Sequence, residues 1–213
     1  MNAFLQKLFH LLVLRPVVFV FIGLIVRGRR HLPMRGPAVV VANHNSHLDT
    51  VVLMSLFPLR LLPRVRPAAA ADYWLRTPAL AWFARRIMGI IPVDRQARER
   101  GEDPFAGVSE ALRQGDIVLL FPEGTRGEPE RLAEPKKGIG HLVERHHLVP
   151  VFPVFLRGLG RALPRGSWLP VPFFCDVFVG KVLRFSGDRD LFMKDLRDEM
   201  TRLSEMGHVS EWE

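Results

Sequence analysis

Residues 37–54, PAVVVANHNSHLDTVVLM, combine an apolar run, a polar turn and the start of a second apolar run. The valine-rich stretch Ala38–Ala42 is typical of a strand that is buried on both faces of a sheet. Ser46 and Asp49 have the S-x-x-D spacing of a capping box, which predicts a helix over 47–58. The sequence therefore predicts a strand–turn–helix unit whose turn contains two histidines.

The same alternation continues along the chain. Further strands are predicted at Arg64–Ala69, Ile90–Val93, Ile117–Phe121 and Val149–Phe155, with helices between them at 72–88, 104–114 and 138–146. Alternating strands and helices predict an α/β fold, a single-domain αβ sandwich with a mainly parallel central sheet flanked by helices. Two later runs, Phe173–Val179 and Lys181–Phe185, predict a hairpin or two edge strands, and a charged helix is predicted over 188–206.

The amino terminus is apolar from Leu8 to Val26, interrupted by His10 and by the pair Arg15-Pro16. A spanning helix needs ~20 apolar residues, so this run is marginal in length. Proline favours the first turn of a helix, which predicts two short helices, 2–14 and 16–26, lying in one leaflet as a monotopic anchor. We therefore expect a membrane-associating helical segment over 1–28 and the main domain over 29–213, with a buried core helix as the alternative for the apolar run.

The charge and cysteine content indicate which partners the protein suits and whether its compartment is reducing. The chain has 30 Lys and Arg against 22 Asp and Glu, a net charge of +8 that suits phosphorylated metabolites, anionic lipid surfaces or nucleic acid. A single tyrosine and the lack of a recognisable nucleic-acid module argue against nucleic acid. Cys175 is the only cysteine, which excludes an internal disulfide and indicates a buried thiol in a reducing compartment.

The turn after the first of these strands suggests acid–base chemistry. On a continuous helix His44 and Asp49 would lie about 140° apart, but a turn followed by a helix brings their side chains together. A carboxylate that accepts from one imidazole nitrogen leaves the other nitrogen basic. A metal site at His44, His47 and Asp49 lacks the H-E-x-x-H spacing, and Ser46 lacks the G-x-S-x-G setting of a nucleophilic serine.

Two other loops follow predicted strands at the same edge of the sheet. In FPEGTR, residues 121–126, Gly124 allows close backbone approach and the fork of donors on Arg126 suits phosphate. In GIIPVDR, residues 89–95, the loop after the strand Ile90–Val93 contains Arg95, although an ion pair with Asp94 or Glu99 is an alternative explanation of that arginine.

Together these loops resemble the glycerolipid acyltransferase family, specifically the 1-acylglycerol-3-phosphate (lysophosphatidate) acyltransferases, over residues 38–156. Four blocks carry the resemblance: NHxSxxD at 43–49, the arginine block at 89–95, FPEGTR at 121–126 and the V-P-V segment at 149–151. The sequence departs from the family pattern at Gly127, where serine is common.

This resemblance implies transfer of a fatty acyl group from acyl-CoA or acyl carrier protein to the free hydroxyl of 1-acylglycerol-3-phosphate, giving phosphatidic acid. It implies that His44 is the general base, oriented by Asp49, with no acyl-enzyme, cofactor or metal. The residues implied in binding the acceptor are Arg95, Glu123, Gly124, Thr125 and Arg126. Lys136, Lys137 and Gly138 either extend the phosphate-binding surface or form a solvated helix start.

Alternatives to this function stay open. The same chemistry suits another lysolipid, such as lysophosphatidylethanolamine, lysophosphatidylglycerol or a lyso-ornithine lipid. A third class is a non-catalytic module that uses only the basic surface. The expected partners are a lysophospholipid, the acyl donor and a membrane lipid surface, without nucleic acid, and the expected location is the cytoplasmic face of the bacterial inner membrane.

Overall fold

Short β-branched runs form the strands of a central sheet. A computed structural model of the protein describes residues 2–46, 48–94, 96–124, 127, 132–162 and 173–206. Its strands are β1 (Ile22–Arg27), β2 (Ala38–Ala42), β3 (Val65–Ala70), β4 (Ile91–Val93), β5 (Ile117–Leu120), β6 (Val151–Arg157) and β7 (Phe173–Val179). Strands β2 and β5 are buried at every position, as expected of central strands covered on both faces.

Except for a short helix at Leu159–Ala162, the described α-helices lie at the stretches where the sequence predicts helices. They are α1 (Ala3–Phe9), α2 (Leu48–Ser55), α3 (Ala71–Trp74), α4 (Pro78–Phe83), α5 (Ala106–Arg113), α6 (Gly138–Arg145), α7 (Leu159–Ala162) and α8 (Arg189–Met206). The helix predicted over 72–88 is divided, because the Thr77 side chain accepts from the backbone N–H of Leu80 and starts a new helix at Pro78.

The described strands form one sheet in the order β1-β7-β6-β2-β5-β3-β4. All neighbours are parallel except β6 and β7, which confirms the prediction of a mainly parallel sheet. Because β1 and β7 run against the other strands, their first residues lie at the edge where β2, β5 and β6 end.

Both faces of the sheet are covered by helices, which confirms the predicted αβ sandwich. On one face, Val40 and Ile117 pack with α2 and with the N-terminal residues Leu14 and Val18. On the other face, Val39 and neighbouring strand residues pack with α5, α6 and α8. Alternate residues of each strand thus face opposite cores, as the pleat requires.

The N-terminal segment differs from the two helices predicted over 2–14 and 16–26. Residues 3–21 are continuously helical, with π-helical turns at His10–Leu14 and Val17–Phe21 on either side of Pro16. These wider turns accommodate the missing N–H of the proline. Residues 22–26 form most of strand β1, so the second predicted helix is wrong there: pairing with β7 satisfies the backbone of Ile22–Arg27.

Residues 3–21 pack on the protein with one face and expose large apolar side chains on the other. Arg15 donates to the carbonyl of Phe57 (3.3 Å) and Arg29 donates to that of Leu56 (3.4 Å), at the carboxyl end of α2. The exposed apolar side chains of this segment are Phe4, Leu8, Leu11, Leu12, Val13 and Phe19. Within the described part of the chain, no helix combines the length and hydropathy needed to span a bilayer. The expected division into 1–28 and 29–213 stays a prediction.

Neither arrangement predicted for Phe173–Val179 and Lys181–Phe185, a hairpin or two edge strands, is formed. Strand β7 instead lies between β1, which is parallel to it, and β6, which is antiparallel. The second run makes an isolated bridge between Leu183 and Val151. Local sequence suggested a hairpin, but the long-range partners of β7 provide its hydrogen bonds.

Candidate active site

The loops after β2 and β5 meet at one edge of the sheet. Strands β2 and β5 are hydrogen-bonded neighbours and run parallel, with Val41 opposite Leu120. Functional groups of open α/β sheets collect at the carboxyl ends of such strands. The chain therefore brings His44 and Asp49 next to the start of the FPEGTR segment.

The turn between β2 and α2 is a reciprocal capping box, as the sequence predicts. The backbone N–H of Ser46 donates to Oδ2 of Asp49 (2.8 Å), and the N–H of Leu48 donates to Oγ of Ser46 (3.3 Å). These contacts satisfy N–H groups that a helix start would otherwise leave unpaired. Ser46 is buried, and its hydrogen bond with Leu48 makes it the cap of α2.

The imidazole of His44 and the carboxylate of Asp49 are in direct contact. Nδ1 of His44 lies 2.8 Å from Oδ2 of Asp49. Because an ionised carboxylate only accepts hydrogen bonds, this contact requires the hydrogen on Nδ1 and leaves Nε2 with a free lone pair. The Asp49 side chain is fully buried, whereas that of His44 is 22% exposed. The pair thus has a fixed, buried acid and an accessible base.

Two contacts from the β5 loop hold His44 in place, and sequence reasoning did not predict them. The ring of Phe121 stacks on the imidazole with a centroid distance of 4.3 Å and an interplanar angle of 25°. The backbone N–H of Gly127 donates to the carbonyl of His44 (2.9 Å). A sequence signal existed for Phe121, because it is the last residue of a predicted strand, Ile117–Phe121, whose end was expected at the same edge of the sheet as the His44 turn.

Asn43 is a further residue that sequence reasoning missed as a functional candidate. Its fully buried side chain makes two hydrogen bonds to the backbone of Leu156 in β6. A buried asparagine at the end of an apolar strand needs such partners, and this need was the available signal.

Glu123 is buried in the β5 loop. Among the described residues neither of its carboxylate oxygens has a hydrogen-bond partner. Burial raises the pKa of Glu123 to about 7, although the nearby backbone amides of His44 and Ala133 and the charge of His44 oppose that rise. Near neutral pH this carboxyl group therefore exchanges its proton.

Gly124 and Lys136 lie together beside Glu123. Gly124 has φ +72°, the left-handed region that favours glycine, and a Cβ on it would lie 2.9 Å from Nζ of Lys136. The backbone N–H of Lys136 donates to the carbonyl of Pro122 (3.0 Å). An exposed cation is therefore held against the glycine of the loop, while Lys137 is exposed just before α6 begins at Gly138.

Several predicted residues lie outside the described part of the chain: Arg95, Thr125, Arg126 and His47. Their roles stay predictions. The ion-pair alternative for Arg95 likewise stays a prediction; among the described residues, Asp94 pairs with Arg100. In the described residues, no group of three His, Cys, Asp or Glu side chains is placed to hold a metal ion.

Comparison with known proteins assigns the sequence to a family. The acyltransferase family model matches residues 23–157, more than half of the chain. A chloroplastic 1-acyl-sn-glycerol-3-phosphate acyltransferase of Arabidopsis thaliana is 32% identical over 172 residues, covering 78% of this chain and 44% of the relative. The 1-acyl-sn-glycerol-3-phosphate acyltransferase alpha of Mus musculus is 33% identical over 153 residues, covering 71% of this chain and 51% of the relative.

A solved structure has the same fold. The crystal structure of the 1-acyl-sn-glycerophosphate (LPA) acyltransferase PlsC from Thermotoga maritima is similar over 99% of this chain and 81% of that chain. The TM-score is 0.72 at 22% sequence identity. The chain spans about half the length of the curated relatives it matches. From the family match, the chain belongs to the acyltransferase family.

Proposed function

We propose that the protein transfers a fatty acyl group from acyl-CoA or acyl carrier protein to the free hydroxyl of 1-acylglycerol-3-phosphate, giving phosphatidic acid. The observation that carries this proposal is the 2.8 Å contact between Nδ1 of His44 and Oδ2 of Asp49. The names of the relatives from Arabidopsis thaliana and Mus musculus support the choice of acceptor.

His44 is the proposed general base. Its Nε2 takes the proton from the acceptor hydroxyl while the hydroxyl oxygen attacks the thioester carbonyl carbon. The C–S bond then breaks, the thiolate leaves, and the imidazolium returns the proton to the sulfur. Asp49 holds the ring in the required tautomer and stabilises the imidazolium, so the reaction needs neither an acyl-enzyme nor a metal or other cofactor.

The acceptor phosphate is proposed to bind at the β5 loop. Arg95, Thr125 and Arg126 supply donors in this proposal, and the left-handed Gly124 lets the backbone approach the ligand closely. Lys136 adds a cation, because its ammonium lies against Gly124. Glu123 completes the proposed acceptor site, and its carboxyl group is buried inside the loop.

A membrane surface is the proposed source of the acceptor. The outward apolar side chains of residues 3–21 support this proposal, and the exposed Trp82 of α4 adds to them. Such a surface suits a helix that lies in the interface of a bilayer. We propose a monotopic attachment through residues 3–21 at the cytoplasmic face of the inner membrane of a bacterium.

Purified protein with a panel of lysolipids tests the proposal. Lysophosphatidate should react with acyl-CoA or acyl carrier protein, and the two donors should be offered separately. Reaction of lysophosphatidylethanolamine, lysophosphatidylglycerol or a lyso-ornithine lipid with lysophosphatidate inert would replace the acceptor. Absence of transfer to every acceptor would refute the reaction class. Co-sedimentation with anionic lipid vesicles tests the membrane surface, which would be refuted if the protein stayed in the supernatant.

A further inference from the structure

The side chain of Asn43 occupies positions that belong to the backbone in a regular sheet. Its Oδ1 accepts from the N–H of Leu156 (2.7 Å) and its Nδ2 donates to the carbonyl of Leu156 (2.9 Å). One side-chain amide thus bonds both backbone groups of a single residue in the neighbouring strand, and Nδ2 of Asn45 donates to the same Leu156 carbonyl at the longer distance of 3.4 Å. Asn43 itself is fully buried, so water does not compete for these bonds.

The register of β2 and β6 identifies which backbone groups are replaced. The N–H of Val39 donates to the carbonyl of Pro150, and Ala42 lies opposite Val154. In a parallel pair the bonds alternate, so odd-numbered residues of β2 serve even-numbered residues of β6. A regular continuation would join the N–H of Leu156 to the carbonyl of Asn43, and the carbonyl of Leu156 to the N–H of Asn45.

The replaced backbone N–H is used in the candidate active site. Instead of pairing with Leu156, the N–H of Asn45 donates to Oδ2 of Asp49 (2.6 Å). The same oxygen accepts from Ser46 and contacts His44. If the strand continued, the N–H of Asn45 would remain in the sheet and His44 would stay in the strand.

We propose that Asn43 is a positioning residue for the His44–Asp49 pair: its side chain ends strand β2 by replacing one peptide unit, and thereby releases the Asn45 N–H to Asp49. The effect that we expect on kcat rests on the proposed acyl transfer. The structural consequence, the tautomer and position of the His44 ring, does not depend on any substrate.

The variant Asn43→Asp tests the proposal because its shape is that of asparagine. One carboxylate oxygen still accepts from the N–H of Leu156, but the other faces the carbonyl of Leu156, where two acceptors repel each other. At pH 8 we expect a fall of about 10²-fold in kcat with little change in either KM, since a small misplacement of a base has an effect of this size. Protonation restores a donor, so the ratio of variant to wild-type rate should rise as the pH is lowered to 6.

Proton NMR gives a readout without activity. The hydrogen on Nδ1 of His44 should give a downfield signal in the wild type, identified by its loss in His44→Gln. In Asn43→Asp at pH 8 this signal should be lost or shifted. Val108→Ala is the control for a general loss of stability, because Val108 is buried on α5. Each variant is assayed at the same number of degrees below its own melting temperature.

Each outcome decides the question. Unchanged kcat together with an unchanged NMR signal would overturn the proposal, as would an equal loss in Val108→Ala. A raised KM at constant kcat would make Asn43 a substrate ligand instead. A wild type without transferase activity would refute the proposed function alone, because the NMR comparison would still stand. If Asn43→Asp does not fold, Asn43→Ser, which keeps a hydroxyl donor and acceptor, takes its place under the same criteria.

Discussion

The turn-and-helix start after β2 and the loop after β5 each contain a buried carboxylate, but the two acids have opposite surroundings. Oδ2 of Asp49 accepts from the backbone N–H groups of Asn45 and Ser46 and contacts Nδ1 of His44. Glu123 has no hydrogen-bond partner in the described residues, and burial raises its pKa to about 7. The two side chains are nearly equally buried. They differ in the hydrogen bonds that their carboxylate oxygens accept from the backbone.

This difference indicates how the two loops divide the work. The β2 loop is held by a strand end, a helix cap and a side-chain pair before any ligand arrives. The β5 loop adds a left-handed glycine, an acid that can take up a proton and a nearby lysine. We therefore expect changes at His44 and Asp49 to affect the rate of the chemical step, and changes at Glu123 to affect stability and its pH dependence.

The largest effect is expected from His44→Ala. Loss of the base should lower kcat for acyl transfer by about 10³-fold, within the range typical of general-base catalysis. His141→Ala, on the exposed face of α6, is the matched control and should keep full activity. Steady-state kinetics with lysophosphatidate measures both variants. Transfer at the wild-type rate by His44→Ala would remove the catalytic assignment of the first loop.

A smaller effect is expected from Asp49→Asn. The amide keeps the shape of the side chain but not the charge that stabilises the imidazolium, so kcat should fall by about 10²-fold, the lower end of the range for general-base catalysis. The weaker cap at the start of α2 should also lower the free energy of unfolding by about 1 kcal/mol. Asp190→Asn, an exposed acid in the first turn of α8, is the control for the loss of charge. An Asp49→Asn rate equal to that of the control would mean that the carboxylate does not act on His44.

Glu123→Gln sharpens the comparison through pH dependence. The pKa of about 7 in the folded protein lies above the ordinary 4.5, so the stabilising contribution of this group is fully present below pH 4.5 and lost as the pH rises through 7. Removing the charge should therefore stabilise the protein by about 3 kcal/mol at pH 8 and hardly at all at pH 4.5. Urea unfolding at the two pH values measures this difference.

The exposed Glu205 on α8 provides the control for this experiment, since Glu205→Gln should change stability little at either pH. A lower stability of Glu123→Gln at pH 8 would show that the ionised carboxylate has partners that stabilise it, and would make the two loops alike.

The smallest effect is expected from Phe121→Leu, which removes the contact between the loops. Loss of the ring stacked on His44 should reduce kcat several-fold, since aromatic pairs contribute ~0.5–1.5 kcal/mol beyond burial. Phe185→Leu is the matched control, because its ring lies against Phe192, at a centroid distance of 6.4 Å. Equal kinetics of the two variants would show that the imidazole does not need the stacked ring.

Most of the sheet and the His44–Asp49 pair were predictable because their signals are local. Strand β2 has the predicted limits, and the capping box at Ser46 forms as expected. The spacing of His44 and Asp49 in a turn was enough to predict their contact, which the structure confirms.

The errors lie where distant partners decide the structure. Residues 22–27 have an apolar sequence that fits a helix or a strand, and their pairing with residues 173–178 makes them a strand. Strand β7 pairs with β1 and β6 and does not form the predicted hairpin with Lys181–Phe185. Asn43 could not be assigned a role from sequence, because its hydrogen bonds are made with Leu156, which is 113 positions away.

The contacts of Arg15 and Arg29 with the carbonyls of Phe57 and Leu56, just after α2, have a practical consequence for protein production. Helix α2 has eight residues, about 12 Å in length, and Asp49 lies in its first turn. A chain shortened to begin at residue 29 to improve its handling in detergent would lose Arg15, strand β1 and the cover over Val52 and Leu53. Such a preparation should be less stable and less active, and detergent or lipid added to the full chain is the better route to a working sample.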